Sequence, residues 1–91
     1  ELLKRQIRLD KWLWYSRLYK SRAIASREIK SGKFRVNGIR VDKASALLKV
    51  SDVVIFSRGK ELKALQVLEL GARRGTVSEA QKLYKDFLIN D

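Results

Sequence analysis

Hydrophobic residues recur along this chain with two different periods, and the switch between them divides it into elements. Over residues 11–19, Trp12, Tyr15 and Tyr19 fall on one stripe at i, i+3, i+7, and Trp14 and Leu18 on another. That spacing predicts a first helix that is apolar over much of its girth, with Asp10 as its N-cap. A second helix is predicted over 22–31, opened by Ser21 as N-cap and closed by Gly32, where a residue with positive φ is wanted. Its Ala25 and Ile29 lie four apart and face the first helix, while Arg22, Ser26 and Lys30, with Arg27 beside them, form a basic stripe on another face. Then the period drops to two. Phe34 and Val36 alternate with Lys33 and Arg35, and Ile39 and Val41 with Arg40, on either side of Asn37-Gly38, a pair suited to a two-residue type I′ turn. With Phe34, Val36, Ile39 and Val41 turned inward, Lys33, Arg35 and Arg40 are expected to emerge together on the opposite face.

Residues 42–52 read as a connection with local turns, 53–57 as a third strand, and Arg58-Gly59-Lys60 as a turn. Residues 61–70 read as a fourth strand, although Leu62, Leu65 and Leu68 at spacing three also suit a helix. Gly71 to Gly75 is a basic loop carrying Arg73 and Arg74. Ser78 with Gln81 three residues on forms a capping box, and Ala80, Leu83, Tyr84, Phe87 and Leu88 form an apolar stripe, which together predict a final amphipathic helix over 79–89. The pattern contains no internal repeat and no low-complexity stretch. The expected fold class is α+β: two short N-terminal helices packed on a small antiparallel sheet, with a C-terminal amphipathic helix. At 91 residues one modest core and one domain are expected.

Charge adds the direction of function. The chain has 21 Lys and Arg against 10 Asp and Glu, a net charge of +11, and the excess is lopsided: residues 1–50 carry 14 basic and 4 acidic side chains, residues 51–91 carry 7 and 6. Such a field attracts polyanions, nucleic acid first and an anionic membrane surface second. Packing the apolar faces of the helices and hairpin together sends Arg8, Lys11, Arg22, Arg27, Lys30, Lys33, Arg35 and Arg40 outward on a shared or neighbouring surface. Absences exclude other chemistry. With no Cys and no His, neither the familiar zinc ligand sets nor the Ser-His-Asp and Cys-His catalytic arrangements can be assembled. No metal and no cofactor is expected, and neither Gly32-Lys33 nor Gly59-Lys60 has the glycine spacing of a phosphate-cradling P-loop. Apolar runs of only four residues predict no membrane span, and the absence of a signal-peptide pattern predicts a cytoplasmic address. The missing initiator Met suggests a start inside a longer chain.

Arg8-Leu9-Asp10-Lys11-Trp12-Leu13, Ser21-Arg22-Ala23, Gly32-Lys33 and Val36-Asn37-Gly38, in that order, resemble the RNA-binding domain of the fourth small-subunit ribosomal protein, the S4 domain or αL motif, over about residues 7–58. Trp12-Leu13-Trp14, Arg73-Arg74, Ser78-Glu79-Ala80-Gln81 and Leu83-Tyr84 are similar to one branch of that family, the ribosome-associated heat-shock protein fifteen. The resemblance implies RNA held along the start of the first helix, the second helix and the hairpin, with Arg8, Lys11, Ser21, Arg22, Lys33 and Asn37 at RNA-contacting positions and Asn37 also placed to serve the turn. It further implies a non-catalytic role on structured ribosomal RNA of the large subunit in the heat-shock or stalled-ribosome response, with no small-molecule substrate and a monomeric chain. Three departures stand out: Ser26 replaces a basic residue after the helix-two alanine, Ala44 replaces a Pro, and Val50-Ser51-Asp52 replaces Pro-Gly-Asp. The competing readings are an appendage of an RNA-modifying enzyme such as a pseudouridine synthase, a membrane-surface helix at the C-terminus, and a protein-interaction module using exposed Trp12 or Trp14.

Overall fold

The computed structural model describes residues 5–87, which form an α+β fold in which helices cover one face of an antiparallel sheet. Strand β1 (Ile7–Arg8) leads directly into helix α1 (Leu9–Tyr15), and helix α2 (Arg22–Lys30) follows after a turn. The hairpin β2 (Phe34–Val36) and β3 (Ile39–Val41) precedes a short strand β4 (Leu47–Leu48), which pairs with β1. Strands β5 (Val53–Arg58) and β6 (Glu61–Val67) form a second hairpin around Gly59-Lys60. A single turn of helix α3 (Val77–Ala80) continues through a 3-10 turn (Gln81–Leu83) into β7 (Tyr84–Asp86), and the five-stranded sheet runs β3-β2-β5-β6-β7.

The period-two segments explain the register. Phe34 pairs with Phe56 and Val36 with Val54, and Val54 in turn with Leu65, so one face of the central strands is a continuous apolar row. Phe34 and Phe56 stack at 4.7 Å and 8°, and Tyr19 packs on both at 6.3 and 6.1 Å. Leu9, Trp12 and Leu13 of α1 and Ala25 and Ile29 of α2 are buried against this row. The Trp12 indole N–H donates to the Glu69 carbonyl at 3.0 Å, tying α1 to the segment after β6. Asn37 and Gly38 have φ of +52 and +84, the two positive values that a type I′ turn requires.

Five expectations are corrected. Asp10 does not cap α1: the helix starts at Leu9, because backbone carbonyls take over the capping, Ala46 accepting from the Leu9 N–H at 2.7 Å and Ala44 from the Asp10 N–H at 3.3 Å. The Asp10 carboxylate is thereby released for other partners. The same helix ends at Tyr15 rather than 19, where the Ser16 hydroxyl bonds the Leu13 carbonyl and Arg17 turns to φ +61. Ile39 shares a sheet face with Val36 but lies on the edge strand beside the turn, beyond the helical cover, and is 71% exposed.

The final amphipathic helix over 79–89 is replaced by α3, the 3-10 turn and β7. Thr76, not Ser78, is the N-cap, and Thr76 with Glu79 makes the capping box. Pairing along the β6 edge outweighs the helical stripe: Val67 sits opposite Tyr84 and Leu65 opposite Asp86, so groups that a helix would leave unpaired on β6 are satisfied. Ala80 and Leu83 are buried as expected, Phe87 is 43% exposed, and Leu88 lies outside the described residues.

Candidate nucleic-acid interface

The capping switch at α1 builds the most organised basic site. Asp10, 3% exposed, accepts from Arg8 Nε and Nη2, both at 3.1 Å, and from Arg22 Nε at 3.4 Å. Two guanidiniums from the starts of α1 and α2 are therefore held side by side on one buried carboxylate. Their side chains remain 46% and 42% exposed, and the trio keeps one net positive charge. Such a fixed fork costs less entropy to engage a phosphate than two free side chains. Lys11 lies on the same helix with its ammonium 5.6 Å from the Tyr15 ring centre. Ser21 acts as the helix cap: its hydroxyl oxygen accepts the Ile24 N–H at 3.1 Å and starts α2 in the orientation that brings Arg22 to Asp10.

Arg27 and Lys30 project from the exposed side of α2, in the helix's last turns, without an ion pair among the described residues. Lys33 does not join the outer hairpin face as expected. It precedes β2, and its ammonium turns to Glu28 of α2 at 3.5 Å. Arg35 and Arg40 do sit directly opposite each other across β2 and β3, on the sheet face away from the helices. Arg40 reaches to the end of α2, where its guanidinium fills the space beside the Cα of Gly32 (φ +85). The basic residues thus form neighbouring rather than shared surfaces: the Arg8–Arg22 fork and the α2 stripe on one side, the Arg35–Arg40 pair around the edge.

Asn37 is a clamp between the two hairpins. Its Nδ2 donates to Asp52 Oδ1 at 3.0 Å and its oxygen accepts the Val53 N–H at 2.9 Å. Asp52 also accepts from the Lys49 ammonium at 2.9 Å and the Lys49 N–H at 3.0 Å. Burial acts to raise the Asp52 pKa, but the hydrogen bonds from Lys49 and Asn37 and the charge of Lys49 outweigh it and hold the carboxyl below its ordinary range. Tyr19 moves the other way. Desolvation, then the charge of Glu28, push its hydroxyl up to about 12 against the pull of Arg58, and that buried hydroxyl has no hydrogen-bond partner among the described residues.

Tyr15 and Tyr19 are core residues, at 8% and 7% exposure, so neither ring of the α1 segment is open to stack a base. Trp12 is fully buried and Trp14 half-buried beneath Arg74, which leaves the protein-interaction reading without the exposed indole it needs. Sequence reasoning missed a second basic grouping, Arg17, Lys20, Arg58 and Arg74, contributed by three segments far apart in the chain. Only Arg74 stood in a stretch marked as basic; no periodicity links the four. Among the described residues no group of acidic side chains could hold a metal ion, and no helix is long and apolar enough to cross a membrane.

Two short helices packed on an antiparallel sheet, with arginines and lysines outward at the helix starts, along α2 and on the edge hairpin, have the character of a nucleic-acid-binding module. The family model described as the S4 domain matches residues 7–54, and the chain belongs to the S4 domain family. Within it the chain is similar to the heat shock protein 15 homolog of Haemophilus influenzae, 38% identical over 85 residues that cover 93% of this chain and 64% of that protein. It is also similar to the RQC P-site tRNA stabilizing factor of Streptococcus pneumoniae, 42% identical over 64 residues covering 70% of this chain and 72% of that one. A solved structure of Vibrio cholerae heat shock protein 15, described as trimeric, superposes with a TM-score of 0.83 at 33% identity, covering 90% of this chain and 82% of that one. The chain spans less than two thirds of the length of the Haemophilus relative. None of these three relatives bears an enzyme's name.

Proposed function

We propose that this protein is a non-catalytic RNA-binding factor that docks on structured ribosomal RNA, in the cytoplasm, with the Arg8–Asp10–Arg22 fork as its anchor. The fork is the observation that carries the reading: one buried carboxylate holds two half-exposed guanidiniums in fixed orientation, and their remaining N–H groups suit phosphate oxygens. The name of one relative, with its P-site tRNA, supports a ribosomal setting, and the names of others support a heat-shock setting. We take the large subunit and the stalled-ribosome or heat-shock response as the place of action, and the single chain as the RNA-binding unit.

Specificity on this reading comes from shape. A phosphate footprint positions a protein without reading bases, and with Tyr15 and Tyr19 buried, discrimination falls to A-form geometry and 2′-hydroxyls. The test is filter binding to ribosomal RNA over a salt series. Arg22→Gln and Lys30→Glu should each weaken binding and flatten the salt dependence, with a slope change of about 0.7–0.9 for each phosphate that is no longer neutralised. Lys82→Glu, on the 3-10 turn after α3, should change it least. Equal effects from all three variants would mean that the face is misplaced. Sedimentation of the tagged protein with ribosomal subunits, and light scattering of the free protein, test the subunit and the monomer.

A further inference from the structure

Across the α1–α2 turn from the fork lies a cleft of about 450 Å³ lined by Arg17, Lys20, Arg58 and Arg74, with no carboxylate in its lining. The three arginines come from the turn after α1, the end of β5 and the loop before α3, and each is held by a backbone carbonyl. Arg17 Nε donates to the Gly75 carbonyl at 2.7 Å, Arg58 Nη1 to that of Leu18 at 2.8 Å, and Arg74 Nε to that of Trp14 at 3.1 Å. A carbonyl orients a guanidinium without neutralising it. Among the described residues none of the four cations forms an ion pair, unlike Arg8, Arg22 and Lys33, which all do. The guanidiniums of Arg58 and Arg74 lie 5.9 and 5.8 Å from the ring centres of Tyr19 and Trp14. Those rings brace the cations from one side and are covered by them, so they cannot stack a base.

Arg17 is the residue that turns the chain out of α1. It occupies the left-handed region at φ +61, which disfavours any residue with a Cβ, and the backbone kink is what carries its side chain to Gly75. Four uncompensated cations in one cleft also repel each other, an arrangement that favours an anion between them. The available donors are guanidinium N–H groups not used on carbonyls and the Lys20 ammonium, a set matched to phosphate oxygens.

We infer that this cleft is a second phosphate-binding site, which takes a backbone phosphate of the same RNA that the Arg8–Arg22 fork engages. It rests on the RNA-binding reading above and extends it. Lys20 stands two residues before Arg22, so the turn between the helices joins the two sites into one path for a nucleic-acid strand, with the fork at one side and the cleft at the other.

The test uses the whole chain and a fluorescein-labelled RNA hairpin of mixed sequence. Releasing one phosphate should flatten the slope of log affinity against log salt by about 0.9, equivalent to about eightfold weaker binding at 0.1 M relative to 1 M salt. Lys20→Gln/Arg58→Gln should show at least that loss, Lys20→Arg/Arg58→Lys should recover most of it, and Lys82→Gln/Lys85→Gln, with the same charge removed elsewhere, should show much less. Folding is bypassed by a second measurement on the unaltered protein: titration of arginine Nε–Hε resonances with the same hairpin, and separately with inorganic pyrophosphate. Shifts at Arg58 and Arg74 together with Arg22 support the second site. Shifts at Arg22 alone, or a cleft variant indistinguishable from the Lys82/Lys85 control, overturn it and leave the proposed function standing. If the hairpin shifts neither group, both fall; if pyrophosphate alone shifts Arg58 and Arg74, the cleft binds small anions and the RNA assignment is wrong.

Discussion

Replacing Asn37 by alanine separates two forces that fix the hairpin carrying Arg35 and Arg40. Asn37 sits at φ +52, and the left-handed region costs a residue with a Cβ about 1–2 kcal/mol, with Asn among the few that tolerate it. Its side chain also donates to Asp52 at 3.0 Å and accepts the exposed Val53 N–H at 2.9 Å, each bond worth a net 0.5–1.5 kcal/mol or so, the exposed one at the lower end. Asn37→Ala should therefore lose about 2–4 kcal/mol. At about 4–8 °C per kcal/mol for a chain of this size, the midpoint drops by about 8–32 °C. Asn37→Gly keeps the turn conformation and gives up only the side-chain bonds, so its loss is about 1–2 kcal/mol. Thermal melts by circular dichroism and urea titrations with unchanged m-value read both numbers. RNA affinity of Asn37→Gly, measured well below its midpoint, should stay within about twofold of the parent, because the amide is occupied by Asp52 and Val53. Two results refute this reasoning: Ala and Gly variants that melt together, since φ then contributes nothing, or a fully folded Asn37→Gly that loses RNA affinity tenfold or so, since the amide then itself touches RNA.

Acid titration should reveal Asp52. Its folded-state pKa lies below the ordinary 3.8, so its stabilisation is complete above that value and is lost as pH falls through the lower folded value; Asp52→Asn should be less stable at neutral pH and less acid-sensitive in that window. Tyr19→Phe removes a buried hydroxyl that lacks a partner among the described residues and should leave stability unchanged or raise it by up to about 1.5 kcal/mol, so a loss of about 1 kcal/mol or more in urea unfolding contradicts the orphaned hydroxyl. Gly32→Ala forces a Cβ into a φ of +85 and against the Arg40 guanidinium, and should cost about 1–2 kcal/mol while displacing Arg40. Phe56→Ala empties the centre of the aromatic stack and should cost about 3–5 kcal/mol, read by the same unfolding curves.

Local chemistry was legible where a residue's own covalent structure decides its conformation. Ser21 caps α2 because a short hydroxyl reaches the N–H three residues on, Gly32 closes it because only glycine takes φ +85 cheaply, and Asn37-Gly38 turns because both tolerate positive φ. Alternation marked β2 and β3 for the same reason, since side chains on a strand must point to opposite faces, and a short apolar run marked β5. The basic bias of the first half fixed the sign of the partner. Everything settled by a distant segment was out of reach. Residues 79–89 have a sound helical stripe, yet the unpaired edge of β6 took Tyr84–Asp86 as a strand, because ladder hydrogen bonds and a covered edge outweigh the weak preference of one short helix. Asp10 read as a cap until the carbonyls of Ala44 and Ala46 supplied that function and freed its carboxylate to brace Arg8 and Arg22. Arg17, Lys20, Arg58 and Arg74 share a cleft only because β5 ends beside the α1–α2 turn, and no spacing along the chain encodes that meeting.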